Sequence, residues 1–252
     1  MLSRRQRIRR GVIIGSLLLS PITFYHFSPY VIIAGALVGV ATGSMLLFAL
    51  QFLSGLLLGR AFCGWACPAG GLAECLAFAQ PKPAGGGRAN RIKHGLWALW
   101  LIAVAVAIVA GGGLQAIDPL FMTNHGISLA APEAYVVYYL VIGLIVALSL
   151  LAGRRAFCHY VCWMAPLMIL DTRLGQALRL PRLCLQATPT RCIDCLQCNS
   201  ACSMSLDVHG MVHDNNLQND ECILYGACAD ACPQGVLRLA LCRLPGLTVG
   251  AD

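Results

Sequence analysis

The sequence predicts an all-α integral membrane protein: a four-helix transmembrane bundle of two parallel hairpin repeats, followed by a small cytoplasmic domain built on iron–sulfur clusters. Three observations predict it. Charged residues are only 12% of the 252-residue chain and hydrophobic ones 58%, with a mean hydropathy of +0.71. A soluble domain carries charge on about a quarter of its residues. Four apolar runs flanked by basic residues occupy the first two thirds of the chain, and its 14 cysteines fall mostly at metal-type spacings.

The first apolar run, Gly11 to Phe27, follows Arg4, Arg5, Arg7, Arg9 and Arg10 and reaches the roughly 17–25 residues that a span needs. A cleaved signal peptide competes, because Ser3-Arg4-Arg5 loosely matches a twin-arginine start and Ala34-Gly35-Ala36 has the shape of a cleavage site. That tripeptide lies inside a continuing apolar stretch, which favours a span. The second run, Tyr30 to Leu58, carries no charge, and Gly35, Gly39 and Gly43 recur every fourth residue, a pattern that lets another helix approach closely in lipid. A basic, glycine-rich linker from Pro81 to Lys93 leads to a third span, Leu96 to Leu114, and Tyr135 to Ala152 forms the fourth. The connection between them has Asp118 and Glu133 but no lysine or arginine. With both termini cytoplasmic, every basic residue falls on that side, as the positive-inside bias requires. The basic residues flank apolar runs and form no patch interleaved with aromatics, which excludes nucleic acid as a partner.

The cysteines define the chemistry. Cys192, Cys195, Cys198 and Cys202 are spaced C-x2-C-x2-C-x3-C, and Cys222, Tyr225, Cys228 and Cys232 repeat that spacing with tyrosine in the second position and Pro233 after the last. Two-cluster ferredoxins have this pattern, and the fourth cysteine of each run serves the other cluster. Cys192, Cys195, Cys198 and Cys232 are thus expected to hold one 4Fe-4S cluster. Cys202, Cys222 and Cys228, with Tyr225 in the remaining position, are expected to hold a 3Fe-4S or atypically ligated 4Fe-4S cluster, with Cys184 and Cys242 as spare ligands. A zinc site or a disulfide framework would also use cysteines, but neither demands a three-then-one spacing twice. Residues 171–252 are expected to form this two-cluster ferredoxin-like domain, and residues 1–170 the four-span domain.

A second constellation repeats within the chain. Gly59-Arg60-Ala61-Phe62-Cys63 runs on to Cys67-Pro68, and Arg154-Arg155-Ala156-Phe157-Cys158 to Cys162-Trp163. Related by an axis along the membrane normal, the repeats bring Cys63, Cys67, Cys158 and Cys162 together, where they could hold a third cluster. Buried free thiols or a redox-active dithiol are the alternatives. Pro68 disfavours helix at Cys67, and Cys75 fits no pattern and reads as a small buried residue.

The doubled Arg-Ala-Phe-Cys with C-x3-C, the four expected spans and the two C-terminal runs together resemble the NapH-type membrane polyferredoxins, related to NosR, MauN and CcoG-type modules. The resemblance covers nearly the whole chain. It departs at Tyr225 and at Cys162-Trp163, where the family has cysteine and Cys-Pro. It implies a multi-pass protein of the bacterial inner (cytoplasmic) membrane that passes electrons between the quinone pool and the redox subunits of a larger complex, as a subunit more than as an enzyme in its own right. An electron-donating maturation factor for a metalloenzyme, or a metal-ion reductase, is the alternative function. Quinone chemistry needs an acid–base group, and the sequence offers His26, His94, His125, His159, Asp118 and Glu133 without singling one out.

Overall fold

The structure, a computed structural model, describes residues 3–85, 87–130 and 132–242; the end of the expected second domain, 243–252, lies outside them. The chain opens with α1 (Arg4–Leu18), whose N-cap Ser3 accepts the Gln6 N–H. Pro21 then starts the single turn α2 (Ser20–Thr23), which passes through a 3-10 turn into α3 (Pro29–Leu37). At Gly39 the backbone turns left-handed, φ 72°, and strand β1 (Val40–Thr42) follows. Thr42 caps α4 (Gly43–Leu58). Two shorter helices complete the first half, α5 (Ala61–Trp65) and α6 (Pro68–Leu76).

The second half repeats this order with longer leading helices. α7 (Ile92–Ala110) leads to strand β2 (Ala116–Asp118), which pairs in parallel with β1. Then come α8 (Pro132–Ala152), α9 (Ala156–Tyr160) and α10 (Met164–Ala177). The C-terminal segment is an antiparallel ribbon of β3 (Arg182–Ala187) and β4 (Leu237–Cys242). Three short helices lie between its strands: α11 (Gln197–Ala201), α12 (Val208–His213) and α13 (Ala227–Ala231).

This corrects the expected all-α, four-helix transmembrane bundle. The fold is mixed helix and sheet, and among the described residues two helices, Ala89–Ala110 and Pro132–Ala152, are long and apolar enough to cross a membrane. The physical reason lies in the breaks. α1 has 15 residues, about 22 Å at 1.5 Å per residue, short of the roughly 30 Å hydrocarbon core, and Pro21 restarts the chain beyond it. The uncharged run from Tyr30 to Leu58 is cut at Gly39 into α3, β1 and the 16-residue α4. Gly35, Gly39 and Gly43 are therefore not one helical face: a Cβ at Gly35 would strike Thr42, one at Gly39 would meet the Gly113 carbonyl, and one at Gly43 the Pro119 carbonyl.

The two long helices leave most apolar side chains uncovered, with 11% and 17% of their most apolar windows buried. A buried core helix would be covered by neighbours, so these surfaces suit lipid. The core lies elsewhere, where Phe157, Met164, Ala165 and Met168 of the second half meet Met204, Val208, Val212 and Ile223 of the C-terminal segment.

Candidate metal centres

The doubled motif folds twice into the same turn. In the first half the N–H groups of Ala66 and Cys67 both donate to the Phe62 carbonyl, at 2.9 and 3.0 Å; in the second, Val161 and Cys162 both donate to the Phe157 carbonyl, at 3.0 and 2.9 Å. Pro68 holds Cys67 extended at φ −70°, ψ 120°. Cys63 and Cys158 thus sit on α5 and α9, and Cys67 and Cys162 just before α6 and α10. The four thiols come together. Burial pushes Cys67 up to about 12, and Cys63 and Cys158 add to the shift; burial likewise raises Cys162, with Cys158, Cys63 and Cys67 adding.

The arginines of the doubled motif close over this group. Arg60 and Arg155 are 2% and 1% exposed, and both lie within electrostatic reach of the cysteines, Arg60 of Cys63 and Cys162, Arg155 of Cys158, Cys67 and Cys63. The Nε of each finds no protein acceptor. Buried cations with orphaned donors beside four clustered thiols make a poor resting arrangement. A metal centre that takes the sulfurs as thiolates supplies acceptors for these orphaned donors, beyond the carboxylates of Glu221 and Glu74 that already face Arg60 and Arg155, so the residues present fit an iron–sulfur cluster.

The C-terminal cysteines line two further cavities. Cys192, Cys195, Cys198 and Cys232 line one, the outer cavity; Cys202, Cys222, Cys228 and Tyr225 line the other, the inner cavity. Both runs use one local device. A left-handed residue, Leu196 at φ 55° or Gly226 at φ 76°, precedes a five-residue helix, and the last cysteine, Cys202 or Cys232, follows it in extended conformation. Each run therefore presents its final thiol away from its first ones, which separates Cys202 from Cys192, Cys195 and Cys198. The Val236 N–H donates to Cys232 Sγ at 3.4 Å. Burial pushes Cys222 up to about 11 and Cys228 to about 12.

Tyr225 lines its cavity without offering a free oxygen. Its hydroxyl donates to the Ala201 carbonyl and accepts the Ser203 N–H at 2.7 Å, and the Arg9 guanidinium lies 5.0 Å over the ring. Cys184 and Cys242, the expected spare ligands, are joined to each other as a disulfide across the β3–β4 ribbon, with Cα atoms 6.2 Å apart. Cys75, expected to be buried, is exposed.

Three contacts bind the paired C-x3-C region to the inner cavity. A Cβ at Gly64 would lie 2.6 Å from the Ile223 carbonyl and 2.9 Å from Tyr225 Cβ, so the two backbones nearly touch. Trp65 Nε1 donates to the Leu224 carbonyl at 3.3 Å. Glu221, beside Cys222, takes Arg60 at 2.8 Å and also accepts from Lys93 and Asn90. Burial alone would raise the Glu221 carboxyl, but Arg60 and Lys93 hold it down at about 2. At the far side Cys198 lies within electrostatic reach of Cys228, so the two cavities adjoin. Paired site, inner cavity and outer cavity follow one another in space.

Sequence reasoning passed over two residues here. His209 and His213 stand four apart on α12 beside Asp194, and an H-x3-H spacing close after the first cysteine run was the available signal. The expected acid–base candidates remain scattered. Among them His159 is buried against the Met204 carbonyl, 3.2 Å from Nε2, and burial lowers its pKa to about 4, which keeps it neutral.

Known proteins place the site in a class. The family described as 4Fe-4S binding domain (Fer4_5) matches residues 40–83 and again 134–176, so each match contains one C-x3-C pair and the structural repeat is matched twice. Both stretches are thus similar to a 4Fe-4S binding domain. Over 218 residues it is 23% identical to the protein named "Putative electron transport protein YccM" of Escherichia coli (strain K12), an alignment that takes in 81% of this chain and 57% of that protein. The chain spans little more than half the length of that relative. No solved structure matches it.

Proposed function

We propose that this chain is a membrane-bound, NapH-type electron-transfer subunit that passes electrons between the quinone pool and a redox partner. One observation carries the reading: an aromatic pocket lies against the paired C-x3-C site. Phe24, Phe27, Tyr138 and Trp163 line it together with Pro68; Pro68 follows Cys67 and Trp163 follows Cys162 in the chain. The hydroxyls of Ser20 and Tyr138, 2.9 Å apart, give the apolar walls a polar handle for a ring oxygen, the usual make-up of a site for a flat, mostly apolar ligand.

Residues 1–170 serve the quinone side and residues 171–252 the partner side. α7 and α8 anchor the chain, joined on the outer face by a loop without lysine or arginine, with both termini cytoplasmic. Cys63, Cys67, Cys158 and Cys162 would hold one cluster. Cys192, Cys195, Cys198 and Cys232 would hold a second, and Cys202, Cys222 and Cys228 a third of 3Fe-4S or atypically ligated type. When bound, these groups supply one-electron transfer. The chain's own part is to gather the thiols, to set Arg60 and Arg155 against their charge, and to keep water out with Phe157, Met168 and Ile223.

Anaerobic mixing of the purified, iron-replete protein with a quinol analogue tests the reading. Rapid cluster reduction is expected, slowed by Tyr138→Phe at unchanged iron content. Iron-replete protein that never exchanges electrons with quinol or quinone would refute the quinone assignment and leave electron donation to a maturing metalloenzyme. For the inner cavity, Tyr225→Cys should convert a three-iron electron paramagnetic resonance signal into a four-iron one. Two ordinary cubanes in the native C-terminal segment would overturn the three-thiolate reading.

A further inference from the structure

We infer that Asp194, His209 and His213 form a mononuclear site for a divalent transition-metal ion of the zinc class, at the rim of the outer cavity, which His209 also lines. His209 and His213 are one helical turn apart on α12 and present Nε2 to a single point. Each Nε2 lies 2.8 Å from Asp194 Oδ1, and the two nitrogens are 3.1 Å apart. Tetrahedral coordination with bonds of about 2.0–2.2 Å places ligand atoms roughly 3.3–3.5 Å from one another. The observed triangle needs to open by only about half an ångström to admit an ion.

Without an ion the arrangement is in conflict. If both rings donate to the same carboxylate oxygen, both protons sit on Nε2 and the two nitrogens face each other at 3.1 Å with no hydrogen bond possible between them. A metal ion takes the lone pair of each deprotonated Nε2 and the carboxylate charge together, and so resolves the clash. Two imidazoles and one carboxylate suit zinc, iron(II), cobalt or nickel; an all-oxygen set would suit magnesium or calcium.

The ligands are held in place before any ion arrives. The Asp207 carboxylate caps α12 by accepting the Gly210 N–H at 3.0 Å. Asn199 donates to that same carboxylate at 2.8 Å and accepts the His209 backbone N–H at 2.7 Å, which ties α12 to α11. Asp194 is fixed in left-handed conformation, φ 55°, between Cys192 and Cys195. The side chains of Asp194, His213 and His209 are 64%, 50% and 25% exposed, so the remaining coordination positions face solvent and the ion is exchangeable. Asp194 Oδ1 also lies 3.6 Å from Cys192 Sγ, which sets the bound charge directly beside the outer cavity.

Zinc K-edge absorption on the anaerobically purified, iron-replete protein tests this. One equivalent of Zn²⁺ is added and loosely held metal removed. About one zinc per chain is expected, in a nitrogen and oxygen shell near 2.0–2.1 Å with imidazole scattering. A His209→Gln, His213→Gln double variant should lose that zinc at least tenfold while iron and sulfide stay constant. A sulfur shell near 2.3 Å, or equal zinc in the double variant, would overturn the proposal. Should the double variant lose iron, the shell of the parent protein decides alone. Iron and sulfide counts report on the clusters independently of this site.

Discussion

Cys63 and Cys158 hang from short helices clamped between longer ones and backed by fully buried arginines, whereas Cys192, Cys195, Cys198 and Cys232 hang from loops and single-turn helices in a segment whose Met204, Val208, Val212 and Ile223 are buried in a core shared with the first region. The first region is shaped by helix packing before any metal arrives. The second has left-handed residues at Asp194, Leu196 and Leu224, conformations that cost free energy and persist only where the surroundings impose them. A scaffold of long helices can preform a ligand set; a segment this small needs its ligands bound in order to hold its shape.

The largest effect should come from iron removal. Chelation at low potential should strip amide protection from residues 188–236, by about 10 kcal/mol if the clusters contribute as structural metals do, while α4 to α10 stay protected. Hydrogen exchange by mass spectrometry reads the difference directly, and equal loss in both regions would break the distinction.

Next is the joint between the regions. Glu221→Ala leaves Arg60 and Lys93 buried without their carboxylate, and such orphaned charges cost about 3–5 kcal/mol. Thermal unfolding in detergent should show the loss, and Glu221→Gln should recover part of it.

The last effect concerns the scaffold alone. Asp171 on α10 is fully buried, and burial raises its carboxyl pKa to about 7. The folded state therefore holds its proton more tightly than the unfolded chain does, so this group's contribution is complete below about pH 4 and is lost as pH rises through about 7. Asp171→Asn should be more stable than the parent at pH 8 by about 4 kcal/mol, a gap that closes toward pH 4. Parallel stability–pH curves for the two proteins would remove the assignment.

Legibility in the sequence divides along physical lines. Cysteine spacing is local, so the two runs and the doubled C-x3-C could be read directly. The helices at 92–110 and 132–152 were visible from unbroken apolar length. Hydropathy alone could not show that Gly39 and Pro21 cut the earlier runs, because backbone direction is decided there by single residues and by pairing with Ala116–Asp118, far away in sequence. Arg60 and Arg155 read as charges flanking a membrane, and only packing reveals them as buried partners of the thiols. Cys184 and Cys242 stand 58 residues apart, and no spacing rule joins them. The spacing of His209 and His213 was legible, but Asp194 comes from a different turn and nothing local joins it to them.

The absence of a side chain at Gly64 lets the turn between Cys63 and Cys67 lie against the Ile223 carbonyl and Tyr225. A methyl group at this one position would wedge the two backbones apart, and under the proposed electron route it would act as a resistor in series.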